Sequence, residues 1–308
     1  MIAALPQRVL VIAGATAAGK SALAARLAQE LGAEIVGADS RQVYRYMDVG
    51  TAKPEPELRA RVPHHMIDIV DPDVDFDVAT WRASAMTTIA GIHSRAARVI
   101  VCGGTGLYLR SLTRGLFAGP TADPALRLRL EQEEAASPGV LRERLGRVDP
   151  AAARRIHGND RVRIVRALEV YERTGRPMSE HHAEHALGER PFETTLLEVR
   201  RDRGELLQRI DDRARAMVAA GLVEELASLR ERFGADARAF DAIGYRQAGM
   251  VLDGKLASDG LVAAIARATS QYAKRQRTWL RGQATTVAVA ARDIDGALAH
   301  AEQFFSAP

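Results

Sequence analysis

The stretch GATAAGKS, residues 14–21, constrains this chain more than any other. It satisfies G-x-x-x-x-G-K-[ST] at every fixed position, directly after the apolar run RVLVIAG and directly before a helical pattern over 20–31. A glycine-rich turn between strand and helix lets backbone N–H groups curl around phosphate oxygens. The helix N-terminus adds its positive dipole end, Lys20 adds charge, and Ser21 can hold magnesium. The competing reading, a turn that binds nothing, sits poorly with such flanks. Gly14, Ala15, Thr16, Ala17, Ala18, Gly19, Lys20 and Ser21 are the expected phosphate cradle. Which phosphate compound occupies it stays open at this point.

The rest of the first hundred residues alternates short β-branched runs with amphipathic segments: AEIVGAD, MIDIV, a helix over VATWRASAMTTIAGIHSRA, then RVIVCGG. Strand and helix in turn imply a parallel sheet with right-handed crossovers. Past the breaker FAGPTADP the strands stop, and arginine-rich helical patterns run from about 124 to 190. FETTLLEV reads as a returning strand, 205–233 as one long helix, 259–281 as a basic helix, and TTVAVAA as a last strand before a closing helix. The expected fold class is α/β, a P-loop NTPase-like parallel sheet flanked by helices, with an all-helical insertion domain. The expected division is a first core part over 1–122, the insertion over 123–193, and the remainder of the core over 194–308.

Composition adds limits. Of 308 residues, 47% are hydrophobic and 27% charged, the balance of a globular protein rather than a disordered or fibrous one. Net charge is +4, compatible with nucleic acid as partner without demanding it. The single cysteine, Cys102, forbids an internal disulfide or a site of several thiolates and fits a reducing compartment. The apolar start lacks a basic leader, and no apolar run reaches the roughly eighteen residues of a membrane span. A cytoplasmic protein without a membrane partner is expected.

AEIVGAD ends on Asp39. By pattern alone, a carboxylate ending a second strand beside a P-loop reads as the magnesium ligand of a nucleotide hydrolase. Ser40, Arg41, Gln42 and Tyr44, which follow, are instead groups that hydrogen-bond and stack on a base. A metal ligand, a base and a loop cap all remain open on the residues alone.

GATAAGKS, DSRQVYRYMDVGTAKP, HHMIDIVDP, GGTGLYLRSL, NDRVRIVRALEVYERTG, IGYRQ and YAKRQRTWLR occur in an order that resembles the tRNA dimethylallyltransferases. The blocks cover nearly the whole chain. The resemblance implies transfer of the dimethylallyl group from dimethylallyl diphosphate to N6 of the adenosine 3′ of the tRNA anticodon, releasing diphosphate, with Mg2+ present. The P-loop would then cradle a leaving diphosphate. Asp39 matches the family's general base, Ser21 the magnesium contact, and Thr105 and Arg213 further groups on the diphosphate. Arg209 and Arg215 compete with Arg213 by register. The lone cysteine leaves no zinc-binding extension of the eukaryotic kind, so the likeness is to the bacterial form, taken as a monomer.

This chemistry suits the residues. An allylic carbon ionises easily, so the barrier lies in charge building on the departing diphosphate, which calls for preorganised cations and N–H donors. The N6 amine must lose a proton as its bond forms, which calls for a carboxylate in reach. The target base must leave the anticodon stack; Tyr44, Tyr46 and Tyr108 compete as stacking surfaces and as ordinary core.

For the tRNA, Arg267, Lys274 and Arg281 recur every seven residues on one helical face, with Arg277 one turn beyond Lys274 and Tyr272 and Trp279 nearby. A basic stripe is usually a solvated face; the resemblance turns it toward nucleic acid. The implied tRNA contacts are Asp39, Ser40, Arg41, Gln42, Thr105, Arg127, Arg163, Ile164, Val165, Arg166, Ala167, Lys274, Arg275 and Arg277. Asn159 reads as the N-cap of the helix carrying Arg163 and Arg166, and an internal Arg166–Glu169 pair competes with RNA binding.

His64 and His65, and His181, His182 and His185, lack completing ligands, so a structural role is expected for the first pair and solvent exposure for the second group. Ala15 and Ala18 replace the family's frequent proline and serine, and Arg41 its methionine or glutamine; no catalytic group is lost. The rivals are a prenyltransferase acting on free adenine nucleotides, a P-loop small-molecule kinase, and an RNA-binding protein using its P-loop as a switch.

Overall fold

A computed structural model describes residues 7–117, 119–185, 191–283 and 286–307, with the side chains of His185 and Thr286 outside the described set. Two compact units divide the chain, 1–113 with 191–308 and 114–190.

The first unit opens with β1 (Arg8–Gly14), α1 (Lys20–Leu31), β2 (Ala33–Ala38), α2 (Pro56–Arg61), β3 (His64–His65), α3 (Val78–Ser94), β4 (Arg98–Gly103) and α4 (Gly106–Arg114). The second unit holds α5 (Pro124–Ala136), α6 (Val140–Val148), α7 (Pro150–Arg155), α8 (Arg161–Thr174) and α9 (Met178–His185). The chain returns to the first through β5 (Glu193–Arg200), α10 (Arg203–Ala219), α11 (Leu222–Phe233), α12 (Tyr245–Leu252), α13 (Leu261–Arg281), β6 (Thr286–Ala290) and α14 (Ile294–Ser306).

The six strands pair in parallel in the order β3-β2-β4-β1-β5-β6. Alternate residues of β1 enter two cores: Val9, Val11 and Ala13 pack with α3, α4, α11 and α12, and Leu10 and Ile12 with α1 and α14. A sheet covered on both faces needs continuous apolar strands, and the runs in the sequence have that form.

Three local expectations change. MIDIV is not a strand: His64 and His65 make the ladder with β2. Positive φ at Met66 and Asp68 then turns the chain onto the 42–45 loop, where Ile69 N donates to Val43 O at 2.8 Å. The helix expected over 205–233 is two, because Gly221, at φ +86°, sits in the left-handed region where α-helix cannot continue. IGYRQ opens α12, which the sequence reading did not assign.

The helical unit is built around Leu130, Leu141, Leu145, Ala152, Ile156, Ile164, Val165, Ala167 and Leu168. The N-cap of α8 is Asp160 rather than Asn159; its carboxylate accepts from Arg163 N at 3.2 Å. Fully buried Glu169 accepts from Asp123 N at 2.7 Å, from Arg127 through two bonds of 2.9 Å, and from Arg166 at 2.5 Å. These partners lower its pKa to about 2 despite burial, which acts the other way. Because the folded value lies below the ordinary one, the stabilisation is complete above about pH 4.5 and is lost as pH falls toward 2. Glu169→Gln is expected to destabilise this unit by roughly 3–5 kcal/mol at pH 7, since two arginines lose their counter-charge. Urea melts at pH 7 and pH 3.5 check this: the wild type loses stability between them, and the variant is expected to lose less.

The histidines split. His65 Nε2 bonds Glu34 Oε2 at 2.6 Å and His64 Nδ1 bonds Val62 O at 2.7 Å, the structural role expected. His181 is not merely solvated: its ring stacks on Phe117 at 4.4 Å, with His182 edge-on to the same ring at 6.1 Å. The side chain of His185, which the spacing grouped with His181, lies outside the described residues.

Candidate functional site

Register places the site. Gly103 of β4 is the partner of Ala13 in β1 and of Ala38 in β2, so three strands end at one level. The P-loop, the Asp39 loop and the Thr105 turn therefore leave the sheet side by side, each about 5 Å from the next strand. The carboxyl edge of a parallel sheet is where α/β folds bind ligands.

Asp39 follows β2 directly. Its Oδ1 accepts from Arg41 N at 2.8 Å, so the carboxylate does cap its own loop, while Oδ2 makes no protein hydrogen bond among the described residues. Thr105 N donates to Ala38 O at 3.2 Å, and Thr105 Oγ1 accepts from Ser40 N at 3.0 Å. The β2 and β4 turns are thereby tied together. Gln42 spends its amide N–H groups on Thr51 O and Ala52 O, each at 3.1 Å.

Among the described residues Lys20 bonds only the P-loop's own Ala15 O, at 2.8 Å. Burial lowers its pKa; the nearby Cys102 and Asp39 oppose that, and Arg213 adds to it. Burial likewise lowers the pKa of Arg213, with Asp39 opposing. Two cations held close in a half-buried site with one carboxylate leave an excess of positive charge, the electrostatics of an anion site. Burial also pushes the Cys102 thiol up to about 11, leaving it neutral beside Lys20.

The three arginines of α10 separate cleanly. Arg213 lies beside Lys20 and Asp39 and donates to Thr51 O at 3.3 Å. Arg209 donates to Ala17 O of the P-loop at 2.9 Å. Arg215 is exposed and paired with Asp211 at 2.6 Å. Arg201, which no motif marked, donates to Ala18 O at 3.1 Å. One helix and its leading turn thus flank the P-loop with three arginines.

α13 presents different faces. Tyr272, Gln276 and Trp279 face the site: the Tyr272 hydroxyl interacts with Thr105, Gln276 bonds Thr16 and Gly104, and the Trp279 ring lies against Gly106. Arg275 stands over the Tyr272 ring at 5.6 Å. Lys274, Arg277 and Arg281 line a groove of about 480 Å³ with Leu206, Leu207 and Ile210 of α10. The seven-residue basic stripe is exposed, and its Arg277 and Arg281 also line a cavity beside Ala15 and Ala18 of the P-loop. Lys274, Arg275 and Arg277, the implied tRNA contacts on this helix, do not share one face: the first and last line the groove and Arg275 lies over Tyr272.

The stacking candidates are mostly core. Tyr44 and Tyr108 are buried, and Tyr108 stacks on Trp81 at 4.4 Å. Tyr46 is exposed but has Arg232 over its ring at 4.1 Å. In the helical unit, Ile164, Val165 and Ala167 are buried, which withdraws them as side-chain contacts for RNA. Arg163 is 74% exposed, and Arg127 and Arg166 keep about a third of their side chains exposed beside Glu169.

Among the described residues no three His, Cys, Asp or Glu side chains cluster as metal ligands. No described helix is long and apolar enough to cross a membrane.

Comparison with known proteins is consistent across the chain. A family model described as IPP transferase matches residues 42–283, and one described as isopentenyl transferase matches 7–64. The tRNA dimethylallyltransferase of Geobacter sulfurreducens is 50% identical over 277 residues, 89% of each chain. That of Sorangium cellulosum is 46% identical over 280 residues, 91% of this chain and 89% of the other. A tRNA isopentenylpyrophosphate transferase from Bacillus halodurans superposes with a TM-score of 0.72 at 34% identity, over 97% of this chain and 96% of that one. A eukaryotic dimethylallyltransferase acting on tRNA reaches a TM-score of 0.81 at 28% identity, over 97% and 80%.

Proposed function

Because the chain belongs to the tRNA dimethylallyltransferase family and transfers a dimethylallyl group to tRNA, we propose that the donor is dimethylallyl diphosphate and that Asp39 and the P-loop divide the chemistry. The observation that carries this reading is the meeting of Lys20, Arg213 and Asp39 at three register-matched strand ends.

The acceptor is N6 of the adenosine 3′ of the anticodon. A bond forms from N6 to the allylic carbon as the carbon–oxygen bond to diphosphate breaks, its electron pair leaving with the diphosphate. Lys20, Arg213 and the N–H groups of the P-loop other than that of Thr16, which Gln276 occupies, stabilise the charge that develops there. The N6 proton passes to Asp39 Oδ2, the oxygen its loop does not use. The Thr105 hydroxyl, held by Ser40 N and near the Tyr272 hydroxyl, stands where the two substrates meet. Arg209 and Arg201 brace the P-loop through its carbonyls.

Magnesium fits the donor set. A single hydroxyl, Ser21, with no cluster of three acidic, thiol or imidazole ligands among the described residues, suits an ion that takes most of its oxygens from phosphates and water. Held there by the Ser21 hydroxyl, the ion would supply charge neutralisation of the diphosphate. The anticodon stem-loop would meet Ser40, Arg41 and Gln42 at the acceptor edge, Lys274, Arg275 and Arg277 on α13, and Arg163, Arg127 and Arg166 on the helical unit. The working unit is taken as a single chain, and the cytoplasm as its compartment from the tRNA substrate.

The test is incubation with labelled dimethylallyl diphosphate and magnesium, with either bulk tRNA or AMP as acceptor. Label is expected in tRNA and not in AMP. Label in AMP alone would assign the chain to free-nucleotide prenylation.

A further inference from the structure

One buried polar side chain of α13 has no part in the reaction as drawn. Gln276 is 7% exposed. Its Oε1 accepts from Thr16 N at 2.8 Å and its Nε2 donates to Gly104 O at 2.8 Å. The orientation of the amide follows from its partners, since a backbone N–H only donates and a carbonyl only accepts.

Thr16 belongs to the P-loop, and Gly104 immediately precedes Thr105. Two loops that leave different strands are thus stitched together by one carboxamide from far along the chain. The backbone has been left bare for it: a Cβ on Gly104 would stand 2.2 Å from Gln276 Nε2. The helix that carries the stitch also carries exposed Lys274, Arg275 and Arg277 on its other sides. Thr16 N–H, tied back by Gln276, is not among the groups offered to phosphate. What the bond fixes is the set of the loop relative to the Thr105 turn.

We propose that Gln276 is a positioning residue that holds the P-loop in register with the Thr105 turn, so that the seating of α13 and the binding of diphosphate form one linked equilibrium. This rests on the reading of the P-loop as diphosphate cradle and of α13 as facing tRNA. If α13 shifts, Thr16 N–H and Gly104 O both lose their partner inside the protein, and the loop loses its fixed shape. A ligand that favours the seated helix therefore tightens diphosphate binding, and diphosphate tightens that ligand by the same factor.

The experiment is calorimetric titration of the full chain with magnesium pyrophosphate, alone and with a saturating anticodon stem-loop RNA. The wild type is expected to bind pyrophosphate about tenfold more tightly with RNA present. In Gln276→Met that gain is expected to shrink below about twofold, with affinity for RNA alone nearly unchanged. Steady-state assays should show the loss mainly in KM for dimethylallyl diphosphate and less in kcat. Gly104→Ala, which crowds the carboxamide out while leaving Gln276 in place, should reproduce it. Equal coupling in wild type and both variants overturns the proposal, as does a wild type that binds both ligands independently. A wild type that binds neither ligand overturns the functional reading instead.

Discussion

Asp39→Asn is expected to lower kcat for prenyl transfer by about a thousandfold, within the range that a positioned general base supplies. The substitution is chosen for what it keeps. An asparagine carbonyl oxygen can still accept from Arg41 N, the bond Asp39 Oδ1 makes at 2.8 Å, so the loop that carries Ser40 and Gln42 should hold its shape. What disappears is an acceptor basic enough to take a proton from N6. Single-turnover assays with labelled donor, beside filter binding of tRNA, separate the two roles. Transfer should collapse while tRNA affinity changes by no more than about twofold. A parallel loss of affinity would return Asp39 to the role of loop cap.

That both roles are available to one carboxylate shows where sequence reasoning stopped. The order of strands and helices was legible because a sheet covered on two faces leaves uninterrupted apolar runs, and the P-loop because its spacing is fixed by the turn it must make. Asp39 was found for the same reason, as the residue that ends a strand. Its two oxygens could not be told apart until the Arg41 amide was placed against one of them.

The arginines of α10 were harder. Arg209, Arg213 and Arg215 are equivalent in type and close in sequence, and only the packing of that helix on the P-loop sends one to Ala17, one to Thr51 and one to solvent. On α13 the charges at seven-residue intervals are the conspicuous pattern, while the site-facing stripe is Tyr272, Gln276 and Trp279, whose i, i+4, i+7 spacing reads as ordinary amphipathic helix and leaves Gln276 unmarked between the two aromatics. A glutamine in such a stripe, opposite a glycine pair, is the one signal that could have pointed to the stitch. In the helical unit, Ile164, Val165 and Ala167 entered as part of a contiguous motif, and helical periodicity alone would have turned them inward.

Lys20→Met carries the second large effect, and its sign on stability separates function from folding. Methionine matches the length of the lysine stem without its charge. Removing one half-buried cation from the diphosphate cradle is expected to lower kcat/KM for dimethylallyl diphosphate by about a hundred- to a thousandfold. A structural residue would also lower the melting temperature when lost. Here the opposite is expected, because burial holds the Lys20 pKa below its ordinary 10.5 and charged Lys20 thus costs the fold stability at neutral pH. In the wild type that cost is relieved as pH rises from the folded value toward 10.5, where the unfolded chain binds the extra proton. The variant has no such cost to relieve. Melting at pH 7 should leave Lys20→Met as stable as the wild type or more so, and magnesium pyrophosphate should raise the melting temperature of the wild type far more than that of the variant. A variant that melts earlier and still responds fully to pyrophosphate would place Lys20 in the scaffold and the leaving-group charge on Arg213.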